Sequence, residues 1–313
     1  MKRFTTFHAA ICMLLLAISL PIQTATAQAK KPTKTTIGIQ ATQINDAIKE
    51  TASKNGSSKY LTLKRISQSM DQQLIDRFHN TRKFNIVSRA DLKTILKDQE
   101  LQEVFTDPSD AKTAQAFKIA GCQYSLIVTI DDYQDMKEQL RGDGGQILAT
   151  KRTFRLSAIS KLYDNATGLL RETSNIQVTN TEGAQKLDGA YADAELSDRL
   201  ITILARELAH KSANRVMDVL YPAKIIGLTG KMATLNRGDG TGIAKDQVWT
   251  IYATGEEMID PDTGESLGAE EIPVGKMKIA QVTPKFSRGT IIEDFGVAKL
   301  HVARLDESKA TKN

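Results

Sequence analysis

Phe84-Asn-Ile-Val-Ser-Arg-Ala-Asp-Leu-Lys-Thr-Ile-Leu-Lys-Asp-Gln-Glu-Leu101 opens, and Ala120-Gly-Cys-Gln-Tyr-Ser-Leu-Ile-Val-Thr-Ile130 closes, the stretch that decides the fold. Phe84, Ile86 and Val87 predict a short apolar strand. Ser88 follows as a helix N-cap, its hydroxyl able to accept a bond from an orphaned backbone N–H, and Asp91 places negative charge in the first turn. Leu92, Ile95, Leu96 and Leu101 then recur at helical spacing. Asp107-Pro108 predicts a second helix, with proline where a missing N–H costs nothing. Ala111, Ala114, Phe117 and Ile119 give it a packing face, and Gly121 ends it. Tyr124 to Ile130 is a nearly continuous apolar run, the signature of a strand buried on both faces. Strand, two helices, strand is an α/β unit against which the rest should pack.

Outward from it, Thr35 to Ile39 predicts a first strand, and Gln40 to Tyr60 a polar connection with a turn at Lys54-Asn-Gly-Ser-Ser58. Leu63, Ile66, Met70, Leu74 and Phe78 step by three and four, which predicts an amphipathic helix over one sheet face. Downstream, Gln134 to Gly145 reads as a polar interruption. Phe154, Leu156, Ala158 and Leu162 alternate with Thr153, Arg155, Ser157, Ile159 and Lys161, and Asp164-Asn-Ala-Thr-Gly168 turns the chain into a return strand over Leu169 to Val178. Leu196, Leu200, Ile203, Leu204, Leu208, Val216 and Leu220 predict a long helix stopped at Tyr221-Pro222. Beyond it helical periodicity is lost. Short apolar runs separated by glycine-containing turns predict a small all-β module, an SH3-like or OB-like barrel. The expected fold class is α+β. An α/β domain with a long hairpin occupies residues 35–221, an all-β domain 222–306, and a charged tail 307–313.

The opening stretch resembles the core of the curli-assembly (CsgG-like) family. The likeness lies in the Ser88-Arg89 pair, the Leu96 to Gln99 run and Ala120-Gly to Val128. Leu162-Tyr-Asp-Asn-Ala-Thr-Gly168 also fits that family's hairpin. The resemblance spans roughly Thr35 to Leu220. It implies an anticodon-binding-like α/β fold in an envelope protein that is not an enzyme. The C-terminal module is similar to that of periplasmic flagellar-assembly T proteins, in Gly230 to Asn236, Gly242-Ile-Ala-Lys-Asp246 and Ile259 to Gly268.

Lys2 and Arg3 precede an apolar run from Ala9 to Leu20, and Ala25-Thr-Ala27 supplies small residues at the −3 and −1 positions. This pattern predicts a secretory signal peptide over residues 1–27, with a polar segment over 28–34. Secretion would place the mature chain in the periplasm, with peripheral membrane contact or none. The 42 Lys and Arg against 37 Asp and Glu give a net charge of +5. That balance is too small to argue for nucleic acid. Cys12 falls within the signal and is not set in a lipobox. Cys122 is then alone, which excludes an intrachain disulfide after cleavage and predicts a quiet, buried thiol.

Asp260-Pro-Asp-Thr-Gly-Glu-Ser-Leu-Gly-Ala-Glu-Glu271 is the one metal candidate. It sets Asp260, Asp262 and Glu271 at positions one, three and twelve of an EF-hand-like calcium loop, but glycine falls at position five and no helices flank it. A hairpin turn explains the same residues without metal. Gly238-Asp-Gly-Thr-Gly242 lacks the Lys-Ser/Thr of a phosphate loop and reads as a tight turn. The Arg237-Gly-Asp239 tripeptide is expected to have no adhesive role. His79 and His210 lie toward the polar sides of helices and are expected to be solvated. No spacing nominates a catalytic residue, a cofactor site or a zinc site.

These readings lead to a periplasmic accessory or assembly protein that binds envelope protein partners or self-associates. The alternative implied by the resemblance is an outer-membrane secretion channel of the curli-export type. Against the channel, Gln134 to Ala149 and Asn175 to Glu195 are polar where that family places its membrane hairpins. Ala41 to Tyr60, where its aromatic constriction would fall, holds Tyr60 as its one aromatic residue.

Overall fold

The computed structural model describes residues 34–54, 57–88, 118, 120–185, 198–264 and 266–306. The two helices expected between Arg89 and Phe117, the signal segment and the charged tail lie outside the described residues. So does Leu196 at the start of the long helix.

The fold is mixed α+β with two sheets. The first has the order β3 (Phe84–Ser88), β1 (Thr35–Ile39), β4 (Tyr124–Arg141), β5 (Ile147–Asp164), β6 (Leu170–Gln185), with β2 (Gln43–Ile44) also on β4. β1 runs parallel to both β3 and β4, and β4, β5 and β6 are antiparallel. α1 (Asp46–Lys54), α2 (Ser57–Asn80) and α3 (Asp198–Leu220) complete this half. Leu63, Ile66, Met70, Leu74 and Phe78 of α2 are fully buried, as their spacing predicts, and meet Leu126, Val128 and Ile130 of β4 and Leu204 and Leu208 of α3 in one core. Ser125 to Val128 is buried without a break, as expected of a covered strand. Gly121 takes a left-handed φ of 74° just before it.

Three sequence expectations change. Gln40 to Tyr60 is not an irregular connection. Asn45 caps α1, its Oδ1 accepting the Ala47 N–H at 3.0 Å, and α2 begins at Ser57, ahead of the first fully apolar position. Gln134 to Arg141 is not an interruption either, because β4 continues through it opposite β5 to a turn at Gly142–Gln146. The ladder needs only backbone groups, so a polar run pairs as readily when both its faces meet solvent. For the same reason β6 runs on to Gln185, past Val178.

The second sheet is a closed barrel in the order β10 (Ser266–Val282), β11 (Ser287–Asp294), β8 (Met232–Leu235), β7 (Ala223–Thr229), β12 (Val302–Leu305), β9 (Val248–Ile259). Ile225, Leu235, Trp249, Ile251, Met277 and Ile279 fill it as a separate core. Closure removes the free edges that an open sheet of this size would expose.

Candidate functional site

The barrel is pressed onto the α/β half by its own glycine run. A Cβ on Gly240 (φ 82°) would stand 2.7 Å from the Asn80 carbonyl oxygen at the end of α2. One on Gly242 (φ 83°) would stand 2.6 Å from Asn214 Nδ2 on α3. The tight-turn expectation for Gly238 to Gly242 is correct but incomplete, since these glycines also permit backbone contact between the halves.

Arg237 lies under that turn and is 2% exposed. Its Nη2 donates to Asp218 Oδ1 of α3 at 2.5 Å and to the Tyr221 carbonyl at 3.1 Å, while Nη1 reaches the Thr241 carbonyl at 3.3 Å. The guanidinium lies 5.9 Å from the Trp249 ring centroid. A buried cation needs such partners, because desolvation otherwise costs several kcal/mol. Beside it, Tyr221 stacks edge-on with Phe84, which does the same with Phe78, carrying the seam into the first core. Burial, and then the charge of Arg237, lowers the Lys83 pKa.

His210 of α3 meets Arg77 of α2 through Nε2. It is half-buried, which corrects the expectation of a solvated ring. Burial first, and the Arg77 charge second, push its pKa down to about 4. His79 is exposed, as its helical position predicts.

A cleft of about 690 Å³ opens along this seam between β6, α3 and the barrel, lined among others by Asn175, Lys211, Asn214, Arg215 and Arg304. Its cations are engaged. Arg215 Nε donates to Glu172 at 2.8 Å, and Lys211 Nζ donates to the Gln177 carbonyl at 2.8 Å. Arg304 grips both oxygens of Glu271 at 2.6 Å, which holds the Glu271 carboxyl below its usual value. The cleft is thus a mixed surface, with Ile176, Trp249 and Leu305 beside polar side chains whose charges brace the body.

The structure does not assemble the calcium candidate. Asp260 Oδ1 accepts the N–H groups of Asp262 and Thr263 at 2.8 and 3.1 Å, the hairpin-turn arrangement. Glu271 pairs with Thr254, while Ser266 beside the turn pairs with Ile259. Five residues of ladder put Glu271 about 17 Å from the turn, and its carboxylate is bound to Arg304. Among the described residues no cluster of three or more His, Cys, Asp or Glu could hold a metal ion. Cys122 is buried, and burial raises its pKa to about 11. Arg237 was the residue least visible in the sequence. An arginine beside a glycine turn reads as surface, and its one signal is its place two residues after the β8 apolar run.

A parallel-cored α/β half welded to a closed β-barrel defines a two-core α+β protein with a braced polar seam. Residues 21–167 match the family model of the curli production assembly/transport component CsgG. That segment, just under half of the chain, is CsgG-like. No curated protein gives a significant match. Similar solved structures include a hypothetical protein from Chlamydia trachomatis, with 9% identity over 60% of this chain and 99% of that one at a TM-score of 0.35. A lipoprotein from Neisseria meningitidis shows 14% identity over 57% and 99% of the two chains at 0.25. The LpoB C-terminal domain from Salmonella enterica shows 15% over 48% and 87% at 0.24. At these scores the likenesses carry no argument about partners. No helix among the described residues is long and apolar enough to cross a membrane.

Proposed function

We propose that this chain is a cell-envelope accessory protein that works by binding protein partners and is not catalytic. The CsgG match over residues 21–167 carries the reading. The cleft is compatible with it, because Lys211, Arg215, Arg237 and Arg304 are engaged with internal carboxylates and carbonyls. In this reading residues 1–27 direct secretion to the periplasm, the α/β half has the anticodon-binding-like arrangement, and the barrel is an SH3-like or OB-like contact module akin to that of flagellar-assembly T proteins. The rival channel reading draws on one observation, the 18-residue lengths of β4 and β5, which exceed the roughly 9–11 residues a membrane strand needs. Their side chains oppose it. Lys151 pairs with Glu138 on one face, and Arg152 with Asp135 on the other.

The test is chemical cross-linking in intact envelopes, followed by purification of the tagged full chain and mass spectrometry. The reading predicts reproducible adducts to a small set of envelope proteins, or to the chain itself. Recovery of the chain from the cytoplasm, free of any adduct, would contradict it.

A further inference from the structure

The cleft between β6, α3 and the barrel is bounded on one side by strand backbone. β6 is the last strand of its sheet, so one side of its backbone has no strand partner among the described residues. Ser174, Asn175, Ile176 and Gln177 all line the cleft. Successive side chains of a strand point to opposite faces. A cleft that meets four residues in succession therefore runs along the edge of the strand, not over one of its faces. Four extended residues span about 13 Å, enough to seat a short segment of another strand.

Edge strands are commonly blunted by proline, by charge or by a bulge. Ser174 to Gln177 has none of these. Its residues are uncharged, and they pair in unbroken register with Ser160, Ile159, Ala158 and Ser157 of β5. The edge is guarded instead by one side chain, since Lys211 Nζ of α3 donates to the Gln177 carbonyl at 2.8 Å. That bond marks the Gln177 carbonyl as open to the cleft, and Asn175, two positions back, shares its orientation.

Charge narrows the partner. Arg215 is paired with Glu172, Arg237 with Asp218 and Arg304 with Glu271. Lys211 is the remaining cation of the lining, and among the described residues it meets a neutral carbonyl and no carboxylate. The cleft thus carries one surplus positive charge, beside the apolar group of Ile176, Trp249 and Leu305. An incoming strand takes the Gln177 carbonyl with its own backbone N–H. The ammonium so released is then free to receive an acidic side chain of that strand.

We propose that the cleft binds an extended peptide segment of a partner protein, carrying an acidic residue among apolar ones, by adding it as a strand to the edge of β6. This deepens the proposed protein-binding role, and rests on it, by naming the surface and the chemistry of its ligand. Main-chain hydrogen bonds supply the affinity of such a mode, and side-chain contacts its selectivity. Here Lys211 is the selecting group.

The experiment pans a display library of random decapeptides against the immobilised full-length chain, then titrates the strongest binder by fluorescence anisotropy. Selected sequences are expected to share an acidic residue within an apolar, alternating stretch. Alternate N–H groups of a strand face the same neighbour. N-methylation of every second peptide amide should therefore abolish binding in one register and change it by no more than about twofold in the other. Lys211→Glu should weaken binding about tenfold, and a peptide with lysine in place of the acidic residue should recover it. Asn175→Pro, at an edge where proline is tolerated, should abolish binding. No enriched sequence, equal effects of the two methylation registers, or Lys211→Glu that binds like wild type would overturn the proposal. If Asn175→Pro loses its native melting transition, the methylated peptides carry the same test on the unaltered chain. A peptide that binds but ignores both variants would sink this site and leave the protein-binding role standing.

Discussion

Arg237 holds the seam from below, and removing it should be felt by the whole molecule. Arg237→Ala would leave a cavity beside Trp249 and strip Asp218 of its partner. Breaking a buried ion pair costs about 3–5 kcal/mol. Asp218 is partly exposed, so the expected loss is about 2–4 kcal/mol, read from urea unfolding midpoints; a loss within 0.5 kcal/mol would show that the guanidinium is not the brace described. His210 makes a pH-dependent contribution. Its folded pKa of about 4 lies below the 6.5 of a free imidazole, so the unfolded chain binds a proton that the folded chain refuses. Stability attached to this ring is therefore complete above about pH 6.5 and is lost as pH falls toward 4. His210→Gln should flatten the fall in unfolding midpoint between pH 7 and pH 4.5, and an unchanged slope would mean the ring is solvated after all. Neither role was legible beforehand. A sequence shows that His210 sits on a helix, but Arg77 reaches it from another helix 133 positions away. The burial of Cys122 is legible, because Gly121 precedes it directly and the apolar run of β4 begins two residues on, at Tyr124.

Among the elements, those with a one-sided apolar face were readable and those without were not. α2 announced itself through five buried positions at helical spacing. α1 did not, since Ala52 is its one fully buried residue, and a cap such as Asn45 speaks softly beside so polar a run. The outer parts of β4 and β6 are not legible in the sequence for a related reason. Both their faces are polar, and period-two alternation has nothing to alternate. Composition marks the glycine run before β9 as a turn, but its docking role depends on Asn80 and Asn214, which only the fold brings near. Substitution there separates the two roles. Gly240→Ala and Gly242→Ala each force a Cβ into a neighbour at left-handed φ, and each should lower stability by about 1–3 kcal/mol. Gly230→Ala, at φ 55° with nothing within 4 Å, should cost less, about 1 kcal/mol from the left-handed backbone alone. Calorimetry on the three variants checks the ranking. Equal losses at all three would argue that left-handed backbone alone, and not contact between the halves, sets the cost.

For the molecule as a whole, the sequence foretold two cores of different class but not the weld between them. Loss of helical period after Tyr221-Pro222 foretold a β module, and the strands close into a barrel there. The seam is made of single residues from α2, α3, β6 and four barrel segments, so no local pattern encodes it. In the proposed function the CsgG-like half serves association and not conduction. The β4–β5 hairpin is long enough to enter a bilayer, but Asp135, Glu138, Lys151 and Arg152 put charge on both its faces. A basic residue at the membrane midplane costs roughly 2–4 kcal/mol, and no apolar face among the described side chains offsets it. The most direct measurement is electrical recording of the purified full-length chain, as monomer and as cross-linked oligomer, in planar bilayers. No stable conductance is expected at any oligomeric state, and reproducible unitary currents would contradict the proposed accessory role.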